Sequence, residues 1–398
     1  TLWHTLSLHD ALPIWGAMKG IYWRPQRTSS TQLTVVAIFS VLGLVLVENF
    51  PVTERQSLYE VKLRAARATR KAFEKISLER IRLGVPVEPE VDPAATGLIG
   101  PEDSPISSKY GHLPAKQTSL NPNFAGVAVE LLRRAGVKPG DVVAAGVSGS
   151  FPAINAALYV AIETMGAKPV VIVSTSASEF GATHPQLTWL DMERVLFESG
   201  LIETRAVAAS LGGVDDRAVG HTKRGRDLLR EAIKRNGRPE LVAESRSEAV
   251  DERLRVIDAA TGGRPVAAYV NVGGGTVSMG AEEDRERYLP GLNFSTPPGH
   301  ERSVAAELLG TGVPVINFTH IEDLARRFGL PRQPLTIPPA GEGRVFVAPA
   351  YGRVAAVVVL SLIVLGLYAV TRLDVGFRLR TGGGGGSKGG GRAPEQMV

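Results

Sequence analysis

The amino-acid sequence predicts an α/β fold whose doubly wound, mostly parallel sheet lies between two membrane-spanning helices. Short apolar stretches alternate along the chain with amphipathic stretches of helical period, an order typical of strands joined by helices. The apolar stretches are continuous, which favours strands covered by helices on both faces. Two longer apolar runs flank this pattern near the ends of the chain. Together, these observations favour a sheet of the Rossmann-like type.

The clearest part of the pattern spans residues 141–191. A strand is predicted at 142–147, a turn of small residues comes after it, and a helix at 152–165 leads to a second strand at 169–174. Two apolar strands joined by one helix form a right-handed parallel βαβ unit. The other elements expected in this domain are strands at 265–271 and 313–318 and helices at 124–135, 186–198, 222–236, 245–260, 301–309 and 321–328.

Two segments precede this unit. Residues 51–84 are predicted to form a membrane-proximal amphipathic helix, because apolar residues recur there at helical spacing among many basic ones. Its placement stays open between a stalk on lipid or on a partner helix and a core-packed helix with a solvated charged face. Residues 84–122 are rich in proline and glycine and lack periodicity, which predicts a long loop that is functional or disordered.

The apolar runs at 33–47 and 354–370 are predicted to cross the cytoplasmic membrane. Basic residues lie ahead of the first run and after the second. The positive-inside rule therefore places both termini in the cytoplasm and the intervening domain outside the inner membrane. A cleavable signal peptide and a buried core helix are the alternatives for the first run.

These features divide the chain into six segments. Residues 1–17 do not match the rest of the chain and resemble a translated sequencing adapter, so the native start is expected at Met18. The other segments are a cytoplasmic N-terminus with the first span at 18–50, the amphipathic helix at 51–84, the extracytoplasmic α/β domain at 85–352, the second span at 353–371 and a glycine-rich cytoplasmic tail at 372–398.

The composition excludes several classes of chemistry. The chain has no cysteine, which excludes disulfides, thiolate metal sites and a cysteine nucleophile. Basic and acidic residues are equally numerous between the two apolar runs and form no basic face, so nucleic acid is not an expected partner. No phosphate-binding or zinc-protease motif occurs, and no cofactor or metal is predicted.

Small and hydroxylated residues come directly after three of the predicted strands. Because the carboxyl ends of parallel strands meet at one edge of a sheet, we expect these residues to form a single site. Backbone N–H groups and hydroxyls in such turns hold anions, so a carboxylate or another oxyanion is the expected ligand. The candidate ligand-binding residues are Gly149, Ser150, Ser176, Glu179, Asn271, Gly273, Gly274, Gly275 and Thr276.

The first of these turns allows two other interpretations. Residues 146–150 read Gly-Val-Ser-Gly-Ser, close to the nucleophile elbow of hydrolases but with serine in place of the last glycine. Candidate catalytic residues are then Ser148 or Ser150 as nucleophile, with His184 or His300 as base. In the third interpretation the turn is structural, and a serine caps the following helix.

Five motifs carry a resemblance to a known family. They are Gly-His-Leu at 111–113 with Asn-Pro-Asn-Phe at 121–124, Ser-Phe-Pro-Ala-Ile-Asn at 150–155, Phe-Gly-Ala-Thr-His-Pro at 180–185 and Thr-Trp-Leu-Asp-Met-Glu at 188–193. Over residues 18–350 the chain resembles the poly-gamma-glutamate system protein family.

The resemblance implies a membrane component that helps to make, export or modify an anionic capsule polymer. Its implied partners are the membrane, the synthase and export proteins, and the polymer or its end. The resemblance brings no catalytic residues, so a binding component, an amide hydrolase or transferase, and a structural scaffold all stay open.

Overall fold

The computed structural model describes residues 30–273 and 275–372. These residues form two compact units: residues 30–52 with 350–372, and Thr53–Pro349. The predicted adapter sequence, the basic segment ahead of the first apolar run and nearly all of the glycine-rich tail lie outside the described residues.

The described residues contain eight strands and thirteen helices. The strands are β1 (Val52–Arg55), β2 (Val142–Ser148), β3 (Lys168–Ser174), β4 (Ala208–Ser210), β5 (Val266–Val272), β6 (Gly291–Asn293), β7 (Val315–Phe318) and β8 (Val347–Ala350). The helices are α1 (Ser30–Asn49), α2 (Tyr59–Arg82), α3 (Leu113–Ser119), α4 (Phe124–Arg134), α5 (Pro152–Thr164), α6 (Trp189–Glu198), α7 (Lys223–Arg235), α8 (Arg246–Thr261), α9 (Thr276–Met279), α10 (Glu282–Arg287), α11 (Val304–Gly310), α12 (Ile321–Phe328) and α13 (Arg353–Arg372).

The larger unit is built on a six-stranded sheet in the order β4-β3-β2-β5-β7-β6. Every neighbouring pair is parallel except β6 with β7, so the prediction of an α/β fold with a mostly parallel sheet is confirmed. The chain passes from β2 through α5 to β3, which is the predicted βαβ unit.

Helices cover both faces of this sheet. Along β2, Val143, Ala145 and Val147 point into a core shared with α2, α4, α5 and α6. Val142 and Ala144 point to the opposite face, into a core shared with α8 and α11. A strand buried on both faces needs apolar residues at every position, which explains its continuous apolar sequence.

The segment 51–84 forms β1 and then α2, where a single helix was expected. Leu58 precedes α2 in the left-handed conformation, at φ 56°, and separates the two elements. Phe73 and Ile76 of α2 are fully buried against the core, as in the core-packed alternative for this helix. Lys62 is also buried and forms a 2.8 Å ion pair with Glu130 of α4.

Several short elements were not expected. The three-residue strands β4 and β6 extend the sheet beyond the four predicted strands. Helix α3 lies within the predicted loop 84–122. The helix predicted at 301–309 is present as α11, but it begins at Val304 because Ser303 caps it by accepting a hydrogen bond from the N–H of Ala306.

The smaller unit contains α1 and α13. Both are long and apolar enough to cross a membrane, judged by length and composition alone. They pack closely at Gly43 of α1, where an added Cβ would lie 2.5 Å from Cγ1 of Val359. Apolar side chains such as Leu42 and Leu360 are more than half exposed.

Candidate functional site

The connections of the sheet define a crevice between the carboxyl ends of β2 and β5. From β2 the chain continues to β3 and β4 on one side, and it later returns to β5 and β7 on the other. Ligands bind at such reversals of strand order in open α/β sheets. Ser148 ends β2, and Gly273 comes directly after β5.

Gly273 allows these two strand ends to approach each other. Its φ of +96° is one that side chains rarely adopt, and an added Cβ would lie 2.2 Å from Oγ of Ser148. The site therefore depends on glycine at this position.

A cleft with two adjoining lobes lies at this edge. The inner lobe has a volume of about 260 Å³, and the outer lobe of about 500 Å³. Both are lined by Lys109, Ser150, Glu282 and Arg285. The hydroxyl-bearing residues of the inner lobe are Ser108, Ser148, Ser150, Ser174, Ser176 and Thr276.

Hydrogen bonds within the turn after β2 fix its serines. The N–H of Ser150 donates to Oγ of Ser148 at 3.3 Å, and the Ser148 carbonyl accepts from Nδ2 of Asn155 at 2.8 Å. Oγ of Ser150 accepts from the N–H of Ser178 at 3.1 Å, so the turn is tied to the segment after β3. The hydroxyls are therefore held in place by the fold.

Three basic side chains line the cleft: Lys109, Lys116 and Arg285. Burial and, to a smaller extent, the nearby charge of Lys109 together lower the pKa of Lys116 to about 7, against the opposing effect of Glu179. Burial also lowers the pKa of Arg285, which lies 3.7 Å from Glu282. Desolvation and the Arg285 charge lower the pKa of Lys109. Bound anions would offset the energy that burial costs these cations.

Lys116 is the most deeply buried of the three. Its Nζ donates to Oγ of Ser178 at 2.8 Å and to the carbonyl of Ser150, and lies 4.2 Å from the ring centroid of Phe151. No carboxylate of the described residues lies within ion-pair distance of it. The absence of a paired carboxylate is consistent with its lowered pKa.

A buried ion pair supports the floor of the inner lobe. Arg253 of α8 is 1% exposed, and its Nε donates to Oδ2 of Asp216 at 2.6 Å. Nη2 of Arg253 also donates to Oγ of Ser174 at 2.9 Å, which positions that hydroxyl at the end of β3. Sequence reasoning missed this pair because its members are far apart in the chain and on different elements.

The structure brings together most of the residues predicted for the site. Ser148, Ser150, Ser176, Gly273, Gly275 and Thr276 all line the cleft. Gly274 lies outside the described residues. The basic residues were missed, although two of them lie in the long segment 84–122 that the sequence identified as functional or disordered.

Three of the predicted ligand-binding residues lie behind the cleft lining. The N–H of Gly149 donates to the Ser174 carbonyl at 3.2 Å. Nδ2 of Asn271 donates to the Gly273 carbonyl at 2.8 Å, and Oε2 of Glu179 accepts from the N–H of Gly111 at 2.9 Å. These groups brace the loops around the cleft.

The two predicted catalytic histidines lie elsewhere. His184 lines a separate cavity of about 60 Å³ with Arg80 and Asp92, and burial lowers its pKa. His300 is exposed, with Nδ1 2.9 Å from the carbonyl of Pro297. Neither histidine lines either lobe of the cleft, so neither is placed to serve Ser148 or Ser150 as a base.

The geometry defines a class of site: a hydroxyl-lined cleft at the strand-order reversal of a mostly parallel α/β sheet, with Lys109 and Arg285 beside the hydroxyls and carboxylates around the outer lobe. Such a cleft is suited to a small oxyanion. Within the described part of the chain, no group of three histidine or acidic residues is placed to hold a metal ion. No protein-family model, curated protein or solved structure matches the chain.

Proposed function

We propose that the protein is a membrane-anchored component of poly-gamma-glutamate synthesis or export whose cleft binds a carboxylate-bearing ligand. The observation that carries the binding proposal is the placement of Lys109 and Arg285 in the hydroxyl-lined inner lobe, with Lys116 in the adjoining outer lobe. Basic groups and hydroxyls are the donors that carboxylates accept most strongly. The pathway rests on the family resemblance of the sequence.

The shape and charge of the cleft favour a chain end over the middle of a polymer. The inner lobe, at about 260 Å³, is smaller than pockets for drug-sized ligands, which exceed about 300 Å³. The outer lobe is lined by four carboxylates that repel a long polyanion. They are Glu282, Glu286, Glu322 and Asp323. A short chain end brings fewer carboxylates into the outer lobe than a mid-chain segment does, and an amino-terminal glutamyl end adds an ammonium beside its α-carboxylate.

We propose that α1 and α13 cross the membrane and that the basic residues before α1 and after α13 in the sequence set their orientation. Both termini are cytoplasmic in this arrangement, and the Thr53–Pro349 unit is a Rossmann-like, doubly wound domain outside the inner membrane. The two helices would anchor the domain beside the synthase and export proteins.

Calorimetry on the full-length protein in detergent tests the binding proposal, with short γ-glutamate oligomers as ligand. We expect saturable binding that weakens at least tenfold in Arg285→Met and Lys109→Met. Arg302→Met is the matched control, because Arg302 is an exposed arginine paired with Asp251 away from the cleft. Equal affinity in all four proteins would refute the proposed site and favour the scaffold alternative.

An enzymatic role is the second candidate. The placement of His184 and His300 gives no support to a serine–histidine pair in the cleft. A different pair of groups supports amide chemistry there: Lys116 and Ser178 lie within hydrogen-bond distance in the outer lobe.

A further inference from the structure

We propose that Ser178 and Lys116 form a nucleophile–base pair that cleaves or transfers an amide bond of a carboxylate-bearing substrate held in the cleft. The substrate class rests on the proposed function, whereas the pair itself rests on its own geometry. Serine–lysine pairs are one of the recurrent arrangements for acyl transfer.

The geometry meets the first requirement for such a pair. Oγ of Ser178 lies 2.8 Å from Nζ of Lys116, and both residues line the outer lobe. A base must lie within about 2.6–3.2 Å of the atom that carries the proton it removes. Ser178 is only 4% exposed but lines the outer lobe.

The serine is held rigidly in this position. Its N–H donates to Oγ of Ser150 at 3.1 Å, and its carbonyl accepts from the N–H of Gly181 at 3.0 Å. Just beyond, the N–H of Ala182 donates to the Gly149 carbonyl at 2.7 Å, which joins this segment to the turn after β2. A nucleophile fixed by its backbone loses little freedom when it attacks.

The surroundings of Lys116 provide a neutral amine near neutral pH. Burial and the charge of Lys109 lower its pKa and Glu179 raises it, with a net value of about 7. Roughly half of the molecules therefore carry the unprotonated base at that pH. The other charged or titratable groups lining the same lobe are Tyr110, His112, Glu282, Arg285, Glu286, His320, Glu322 and Asp323.

The reaction balances with water as the only co-reactant. Oγ of Ser178 attacks the amide carbonyl carbon while its proton moves to Nζ of Lys116. The carbon–nitrogen bond then breaks, Lys116 returns that proton to the departing nitrogen, and an ester remains on Ser178. Water attacks this ester and loses a proton to Lys116, which passes it to Ser178 Oγ as the carboxylic acid leaves. A second amine in place of water gives transfer.

A purely structural role for Lys116 predicts different behaviour. As a clamp, its ammonium would hold the Ser150 carbonyl and the Phe151 ring, and Ser178 would have no unusual reactivity. Arginine retains the charge of a clamp but is not deprotonated in proteins, so Lys116→Arg separates the two roles.

Labelling of the full-length protein with a fluorophosphonate probe tests the pair, with peptide mass spectrometry to locate the label. We expect modification of Ser178 at a rate that rises with pH to a plateau, with its midpoint near the pKa of Lys116, about 7. Ser178→Ala should abolish labelling, and Lys116→Arg and Lys116→Met should slow it at least 100-fold. Ser199→Ala, at the surface end of α6, is the control and should label like the wild type.

Oligomer cleavage and ligand binding separate this proposal from the proposed function. Shortening of γ-glutamate oligomers by the wild type, lost in a Ser178→Ala variant that still binds them, supports both. Binding without either labelling or shortening overturns the pair and leaves the binding function intact. Labelling of Ser178 without oligomer binding keeps the pair and removes the carboxylate polymer as its substrate. Labelling at Ser148 or Ser150 instead overturns the assignment of the nucleophile.

Discussion

Asp216 Oδ2 lies 2.6 Å from Nε of Arg253, in an ion pair almost completely removed from solvent. The same arginine holds the hydroxyl of Ser174 at the end of β3. Asp216 itself has a left-handed backbone, at φ 59°, which side chains adopt at an energetic cost. This ion pair therefore supports the floor of the cleft, and loss of either residue would leave the other buried without its partner.

Removing one member of this pair should destabilise the protein strongly. In Asp216→Asn the buried Arg253 loses its counter-charge, and we expect the free energy of unfolding to fall by about 3–5 kcal/mol. Urea denaturation measures the change. Asp251→Asn is the control, since Asp251 pairs with Arg302 at the surface and its loss should have little effect. Equal effects of the two substitutions would contradict the structural role given to the buried pair.

Gly273→Ala should disturb the cleft more than a glycine substitution elsewhere. The added Cβ would meet Oγ of Ser148 at 2.2 Å, in addition to the cost of a positive φ, about 1–2 kcal/mol. Gly237→Ala is the matched control, because Gly237 also has a positive φ but no atom within 4 Å of the added Cβ. Thermal unfolding should show the larger loss for Gly273→Ala. A smaller loss than in the control would mean that the strand ends are not closely packed.

Stability should depend on the titration of Lys116. Its pKa is about 7 in the folded protein against an ordinary 10.5, so the unfolded chain binds more protons between these values. Because of Lys116, the free energy of unfolding therefore increases as pH rises from 7 to 10.5, by at most about 1.4 kcal/mol per pH unit. The gain should be absent in Lys116→Met, which urea titrations across this range would reveal. The same pH dependence of the free energy of unfolding in the wild type and in Lys116→Met would mean that Lys116 is exposed to solvent in the folded protein.

Glu130 should make the protein sensitive to acid. Burial acts to raise its pKa, but hydrogen bonds from Arg133, Lys62 and Arg134 outweigh burial and lower it to about 2. Its stabilisation is complete above the ordinary pKa of 4.5 and is lost as pH falls towards 2.

Glu130→Gln should remove roughly 3 kcal/mol of this pH dependence, measured by urea denaturation at decreasing pH. Glu74→Gln provides the comparison, since Glu74 forms an exposed pair with Arg70 on α2. If the loss of stability at low pH were the same in Glu130→Gln as in the wild type, the buried Glu130–Lys62 pair would be excluded as the cause of that loss.

The absence of cysteine makes the proposed topology directly testable. Val242 is 71% exposed in the larger unit, and Ser387 lies in the glycine-rich C-terminal sequence. With a membrane-impermeant maleimide, intact spheroplasts should label Val242→Cys and leave Ser387→Cys unlabelled. Both should react after detergent permeabilisation. The reverse pattern in intact spheroplasts would invert the proposed orientation.

The main strands were predictable because burial on both faces demands continuous apolar sequence, as in β2 and β3. The strands β4 and β6 were not, since three residues are too few to establish a period. Helix α3 was not predicted for a related reason, since it is short and lies between turns rich in proline and glycine.

The hydroxyl-bearing part of the site was predictable from topology, because parallel strands end at one edge. The basic part was not, since burial of Lys116 and Arg285 results from contacts between segments far apart in the chain. Local sequence cannot distinguish a buried lysine from a solvated one. The choice of His184 and His300 as bases failed for the same reason. Their residue type suggested a base, but local sequence could not show that the fold places them away from the cleft.

The cleft draws its lining from segments that begin near Lys109 and end near Asp323. Any fragment of the larger unit that lacks part of residues 108–323 lacks part of this lining, so ligand binding requires that most of the unit is folded. A ligand at about 100 times its dissociation constant would add about 2.7 kcal/mol to global stability. In the proposed topology, with the domain outside the inner membrane, this added stability would make the domain more resistant to proteases of that compartment wherever its ligand is abundant.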